Sequence, residues 1–424
     1  MASVPVPQIL PGRRAATIHG DLSEEEMATM DQLVKDYGSY RLSNEGQVLK
    51  PGMGIGEGIP VGSAEVADSR SGVRGRVLNN DGTELIFPSR VDLSMLRAQL
   101  VEEHGSVYGR TVPDEPTVAF RGLYTVIDRH GATRKAEGDA SEALVMRVQE
   151  LQARRFAPVA RELFGTPVVV SKMLFANMVL PGQEIDMHHD VPEFRGIHPR
   201  TCPNWLQVVM HSSGLFQHWR ILQAAALTYF QDMEEGSLAI YCGPQGEGTV
   251  VPARRGLGVV VEAETCPHHS DIFNPTPGRR PVPKWPKGVR LQYVQDAGDW
   301  TVTAASGEVL ERFSRREVRV STQMKLHCFR DEAEYQVYLD HTDDLSVEMA
   351  LETLTDDLRR RGRFSGSAPP RADLAVMMVR EYVRWPTPEA VAKCWAARPC
   401  SVFARALTGD PVPEPSADTP HARL

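Results

Sequence analysis

Two short runs of this sequence carry side chains able to hold a transition metal. The first, VLPGQEIDMHHDVPEFRG, sets His188, His189 and Asp190 directly after a Pro-Gly turn. Side chains two apart on an extended strand point to one face, so His188 and Asp190 project together while His189 turns away. The second run, VVVEAETCPHHSDIF, sets His268 and His269 at the end of an apolar strand, 80 residues beyond His188. That separation suits opposite strands of one barrel. Neutral imidazole and carboxylate are suitable ligands for Fe(II), and two histidines with one carboxylate on one side of the metal leave positions open for a cosubstrate and oxygen.

Such a set works only if the surrounding elements position it. The stretch DLSEEEMATMDQLVKDYGS predicts a helix, with Ser23 and Glu26 as a capping box, Met27, Met30, Leu33 and Val34 at helical spacing, and Gly38 as the stop. From Ser141 to Phe164 the apolar positions Leu144, Val148, Leu151, Val159 and Leu163 predict a long amphipathic helix packed on a sheet, ended by Gly165 and Pro167. Short β-rich runs then follow, among them TPVVVSKMLFANMVL, GSLAIYC, GTVVPARRGLGVVVEA and GVRLQYV, each bounded by Gly or Pro. This pattern points to a jelly roll. EVRVSTQMKLHCF alternates like an exposed strand, and three helical runs follow it, DDLSVEMALETLTDDLRRRGR, RADLAVMMVREYVRW and PEAVAKCWAARPCSVFARAL. The fold expected is α+β: a double-stranded β-helix (jelly-roll, cupin-like) core with helical N- and C-terminal additions. Its segments would be an extension over 1–140, the core with its preceding helix over 141–300, a strand and helical region over 301–410, and a disordered tail over 411–424.

His188-x-Asp190, a distal histidine and an arginine on the strand GVRLQYV together resemble the iron(II)- and 2-oxoglutarate-dependent oxygenases of the double-stranded β-helix fold. The likeness covers roughly residues 168–294. It implies oxidative decarboxylation of 2-oxoglutarate at iron, with O2 as oxidant, and oxidation of an unactivated C–H bond. It assigns His188, Asp190 and His268 to iron, with His269 as the other candidate for the distal position. The far carboxylate of the cosubstrate calls for a guanidinium, whose fork binds it bidentately. The family's last core strand points to Arg290, with Arg279 and Arg280 in the loop NPTPGRRPVPKWPKG as alternatives. Because Asp190 keeps the carboxylate, hydroxylation, desaturation, ring formation or epoxidation stay open and halogenation is disfavoured.

Other residues have blander readings. Arg195 could hold an anionic substrate group or pair structurally with Glu193, while Trp205 and Trp219 read as core. His211 and His218, seven apart, lack a carboxylate or cysteine at matching spacing for a second metal site. The Gly-rich GMGIGEGIPVG lacks the setting of a phosphate loop and reads as a surface loop or lid. Six cysteines (Cys202, Cys242, Cys266, Cys328, Cys394 and Cys400) show no CxxC spacing and are expected to stay reduced, with Cys202, Cys242 and Cys266 read as small buried hydrophobes.

Over 424 residues the composition is 42% hydrophobic and 24% charged with a formal charge of −8, which suits a globular chain and argues against nucleic acid as partner. No apolar run reaches the roughly 18 residues a membrane span needs, and no signal-peptide core is evident, so a cytoplasmic protein is expected. The reading is therefore an iron(II)/2-oxoglutarate oxygenase acting on a small molecule, an amino acid or natural-product intermediate. Two rivals stand beside it: a cupin-like metalloenzyme that does not use 2-oxoglutarate, and a non-catalytic jelly-roll binding protein.

Overall fold

The computed structural model describes residues 6–42, 59–60, 77–78, 84–86, 119–270 and 285–382, apart from residues 129, 184, 198–201, 203, 234, 243–247 and 287. Most of GMGIGEGIPVG, Arg279, Arg280, the last helical run, Cys394, Cys400 and the tail lie outside the described residues.

Strands β1 (Gln8–Ile9) and β2 (Ala15–Ile18) pair as a hairpin ahead of helix α1 (Glu24–Asp36). The Ser23 hydroxyl accepts from the Glu26 amide and the Glu26 carboxylate accepts from the Ser23 amide, so the capping box forms as its spacing predicts. Strands β3 (Ser39–Leu42), β4 (Phe120–Ile127) and β5 (Thr133–Lys135) precede the long helix α2 (Glu142–Phe164). Ser141 caps the start of α2, and Gly165 closes it at φ 66°, a left-handed position that favours glycine. Then come β6 (Val168–Val179), β7 (Ile185–His188), β8 (Glu193–Phe194), helix α3 (Asn204–Ser213), β9 (Arg220–Tyr229), β10 (Leu238–Ile240), β11 (Thr249–Val251), β12 (Gly258–Val261) and β13 (His268–Ser270). A meander of β14 (Arg290–Val294), β15 (Asp299–Thr303) and β16 (Val309–Phe313) leads to β17 (Arg319–Phe329) and to helices α4 (Glu332–Asp340), α5 (Val347–Arg360) and α6 (Arg371–Tyr382).

The strands build a thirteen-stranded sheet in the order β1-β2-β12-β9-β17-β6-β4-β3-β14-β15-β16, with β8 added to β9 and β5 to β4. A four-stranded sheet runs β7-β13-β10-β11. Every pairing that joins these strands is antiparallel. One face of the large sheet, through Leu174, Ala176, Met178, Ala224, Ala226, Met324 and Leu326, packs against Val145, Val148, Phe156 and Val159 of α2. The sheet takes strands from all three of the expected segments, because β3, β4 and β17 lie in it beside β6 and β9. Tyr229, Val259 and Val261 of the large sheet meet Leu238, Ile240 and Val251 of the small one in a second core, so the two sheets close on each other there.

Two expectations are corrected at this level. EVRVSTQMKLHCF is no exposed strand: β17 runs between β9 and β6, paired along its whole length and largely buried. Its even-numbered Val320, Met324, Leu326 and Cys328 join the core under α2, whereas Arg319, Ser321, Gln323, Lys325 and His327 occupy the other face. The polar face meets segments that flank the small sheet rather than solvent: Lys325 contacts Asp190 just past β7, and Arg319 the Gly236 carbonyl just before β10. Equally, GVRLQYV is not the last strand of the core. It is β14, four strand spacings from β17 in the sheet order, about 19 Å at ~4.8 Å per strand.

Candidate metal and substrate site

β7 ends at His188, and its register sets His188 directly opposite His268 of β13, which on its other side pairs with Ile240. The His188 side chain lies outside the described residues. Asp190 falls just past the strand end, where its amide donates to the Ala263 carbonyl at 2.8 Å. That bond ties the HHD run to the segment that leads into β13, so the two histidine runs converge through backbone.

His268 Nδ1 is 2.9 Å from the Cys266 carbonyl oxygen. A carbonyl can only accept, so Nδ1 carries the proton and the lone pair of the neutral ring sits on Nε2, as suits a ligating imidazole. His269, its neighbour on the strand, is buried with Nε2 3.1 Å from the Tyr241 hydroxyl, and its ring stacks on Tyr241 at 5.8 Å. His189 is half-buried rather than turned to solvent. Burial pushes its imidazole down to about 4, with His268 and His211 adding to the shift and Asp190 opposing it.

Around Asp190 stands a charged cluster whose lysines carry no motif in the sequence. Lys325 of β17 ion-pairs with Asp190, and Lys172 of β6 ion-pairs with Glu193, whose Oε2 also lies 3.1 Å from His327 Nε2. Lys172 is the extra residue of a bulge: Met173 pairs with Lys325 and Ser171 with Leu326, so Lys172 is left between them. A bulge re-aims a side chain, and here it brings two ammonium groups to neighbouring positions. Burial pushes Lys172 down to about 7, with Lys325 adding repulsion and Glu264 opposing the shift. Further in, Glu264 accepts from Arg220 Nη2 at 2.6 Å and from Gln223 Nε2 at 2.8 Å. Gln223 also donates to the Val191 carbonyl at 3.1 Å, so one amide braces the residue after Asp190 against the approach to β13. Burial pushes the Glu264 carboxyl up to about 7 against the pull of Arg220 and Gln223.

At the other end of the same face of β17, Arg319 is 2% exposed and donates through Nη1 to the Gly236 carbonyl, just before β10. Arg290 is not brought to this cluster. It lies on β14 opposite Arg41 and Thr303, with Nη1 bonded to the adjoining Val289 carbonyl.

Several other expectations resolve into scaffold. Arg195 is buried, donates to the His218 carbonyl and to Asp343, and sits 3.6 Å from Glu334, so it pairs with the C-terminal region rather than Glu193. Trp219 Nε1 donates to Asp343 as well, while the Trp205 side chain lies outside the described residues. His218 pairs with Asp343 at 2.6 Å and burial holds His211 neutral; among the described residues neither belongs to a group of three or more potential metal ligands. The cysteine expectation is corrected in one place: Cys242 and Cys266 form a disulfide, with Cα atoms 5.2 Å apart, joining the end of β10 to the lead into β13. Pairing partners 24 residues apart in sequence but adjacent in the sheet carry no local spacing signature. Cys202 is a buried thiol as expected, and Cys328 is a second one.

Among the described residues no group of three or more His, Cys, Asp and Glu side chains is assembled to hold a metal ion. No helix among them is long and apolar enough to cross a membrane. A surface cleft lined by His19, Glu24, Asp232, Arg254 and Arg255 opens at the Gly256 end of β12, whereas Asp190 bonds beyond its other end at Ala263. The cleft is separate from the cluster.

No protein-family model matches the sequence, and no curated protein matches it. Solved structures do. A 2OG-Fe(II) oxygenase family oxidoreductase from Burkholderia pseudomallei is 13% identical, covers 50% of this chain and 66% of its own, just under two thirds, with a TM-score of 0.27. A prolyl hydroxylase from Trichoplax adhaerens, in complex with a hypoxia inducible factor peptide fragment, is 9% identical over 77% of this chain and 87% of its own, with a TM-score of 0.32. The non-heme alpha ketoglutarate dependent epimerase SnoN from nogalamycin biosynthesis is 14% identical over 55% and 70%, with a TM-score of 0.26. Structures of the 2OG-Fe(II) oxygenase family are among the solved structures to which this chain is similar.

Proposed function

We propose that the two sheets form a double-stranded β-helix and that the protein is an iron(II)- and 2-oxoglutarate-dependent oxygenase acting on a small molecule. The observation that carries this reading is the cross-strand pairing of His188 with His268 beside Asp190. In an antiparallel ladder, directly paired residues belong to one face. The donor set fits iron(II): two imidazoles, one with its lone pair fixed on Nε2 by the Cys266 carbonyl, and one carboxylate. When bound, iron with 2-oxoglutarate and O2 would supply the oxidising chemistry.

The chain's own part is to bind, orient and exclude water. His188, Asp190 and His268 would hold the metal, with Gln223, Glu264 and Arg220 bracing the two runs that supply them. The family role of cosubstrate arginine passes from Arg290 to Arg319. Gly236, which Arg319 contacts, lies four residues from Ile240, the partner of His268, or about 13 Å along a strand at ~3.3 Å per residue. A five-carbon diacid with a coordination contact at one end and a guanidinium reaching toward it from the other spans a gap of that order. Asp190 keeps the carboxylate, so hydroxylation, desaturation, cyclisation or epoxidation fits better than halogenation.

The test is succinate release from 2-oxoglutarate by purified protein with Fe(II), ascorbate and O2. Succinate above the background of Asp190→Ala supports the reading. Equal release from both proteins, or metal content and an anaerobic spectrum showing no iron bound, contradicts it.

A further inference from the structure

Lys172 and Lys325 are a costly feature to build into the space between two sheets. Their side chains are 16% and 13% exposed, they sit on neighbouring strands, and the bulge at Lys172 sets them side by side. Like charges so placed repel, and partial burial strengthens the repulsion. Each ammonium makes a direct ion pair with one carboxylate, Lys172 with Glu193 and Lys325 with Asp190, while the buried Glu264, whose charge both feel, is already paired with Arg220. The Glu193 contact is independent of the metal site. The Asp190 contact is not: a divalent ion on Asp190 competes with Lys325 for the same carboxylate and repels its ammonium.

On the reading that Asp190 is a metal ligand, we propose that Lys325, with Lys172 beside it, recognises a carboxylate on the primary substrate. Metal binding at Asp190 turns Lys325 from a satisfied cation into one in need of an anion, in a place that faces the metal. A singly charged group suits it better than a phosphate dianion, because Glu193 already meets Lys172. Two ammonium point charges, unlike a guanidinium fork, impose no planar bidentate geometry, so the carboxylate can approach from the direction the reacting carbon requires. The cosubstrate's far carboxylate is served by Arg319, six residues away on the same strand, about 20 Å at ~3.3 Å per residue. Substrate carboxylate and cosubstrate carboxylate are thereby kept at opposite ends of one face of β17.

The consequence is a coupling that can be read without turnover. An anion that draws Lys325 away frees Asp190 for the metal, so anion and metal should bind cooperatively. The experiment is titration of Mn(II) by calorimetry into the full chain, with sodium acetate against sodium chloride at equal ionic strength, for the native protein, Lys325→Met, Lys172→Met and Arg319→Met. Acetate is expected to tighten Mn(II) binding to the native protein by about three- to tenfold, the scale of one partly buried ion pair. Lys325→Met is expected to bind Mn(II) more tightly than native protein without acetate and to be indifferent to it, and Lys172→Met to show a weakened acetate response. 2-Oxoglutarate affinity should hold within about twofold in both lysine variants and fall in Arg319→Met, which separates the two carboxylate sources. An acetate effect that persists undiminished in Lys325→Met would mean acetate binds the metal itself and would overturn the proposal. So would the absence of any acetate effect on native protein that binds Mn(II) through Asp190. If Mn(II) binds to no form, or binds equally well to Asp190→Ala, the metal reading fails and the proposal falls with it.

Discussion

The two arginines make opposite predictions for one substitution. Arg319→Met removes a guanidinium that is 2% exposed on the polar face of β17, replacing it with an uncharged chain of comparable length. A carboxylate held there would lose charge-assisted hydrogen bonds worth roughly 1.5–3 kcal/mol each. Taking a net loss of about 3 kcal/mol, the affinity for 2-oxoglutarate should fall by about 150-fold. Arg290→Met, on β14 where Nη1 donates to the neighbouring Val289 carbonyl, should change that affinity by less than about twofold. The assay is anaerobic calorimetric titration of 2-oxoglutarate into Mn(II)-loaded protein, with thermal melting to show that each variant is folded. A loss in Arg290→Met with none in folded Arg319→Met would refute the assignment and restore the one the sequence suggests.

Reduction of Cys242–Cys266, or the double substitution to serine, should lower unfolding stability by roughly 3 kcal/mol from loop entropy for its 24-residue separation; chemical denaturation with and without reductant measures it. Stability should rise with pH between about 4 and 6.5. Burial holds His211 neutral at about 4 in the folded state against 6.5 in the free side chain, so the unfolded chain binds more protons in that window. The contribution, about 3 kcal/mol at neutral pH, is lost as pH falls through it, and urea midpoints of native protein should show a steeper decline than those of His211→Asn. Arg155→Met should destabilise by about 3–5 kcal/mol, because its side chain is 1% exposed and joins Asp21, Thr228 and the Ile18 carbonyl. An unchanged denaturation midpoint would contradict that.

How much of this was legible in the sequence differs from element to element. Helices α1 and α2 were readable to their caps because Ser23, Glu26, Ser141 and Gly165 act within one turn, where spacing is sufficient information. The facing of His188 and His268 could be anticipated only as a pairing of two motif-bearing runs; their register depends on β7 and β13 meeting across 80 residues. β17 shows why the rest was hidden. Alternation in EVRVSTQMKLHCF reports one apolar and one polar face but not whether the polar face meets water or a cavity, and both give the same pattern. Lys325 and Arg319 were missed for that reason. The sequence points to Arg290 because GVRLQYV follows the second histidine run, and the meander β14–β16 that displaces the final strand by some 25 residues has no signature of its own. Lys172 depends on a bulge whose position is fixed by the partner strand.

The central claim is that His188, Asp190 and His268 hold iron in a way that admits 2-oxoglutarate. It is tested most directly by adding Fe(II) and then 2-oxoglutarate to native protein without oxygen and recording the visible spectrum, with Asp190→Ala and His268→Ala beside it. A weak metal-to-ligand charge-transfer band that requires both additions and is absent from both folded variants is the predicted result. No band in the native protein, or an undiminished band in either variant, would contradict it.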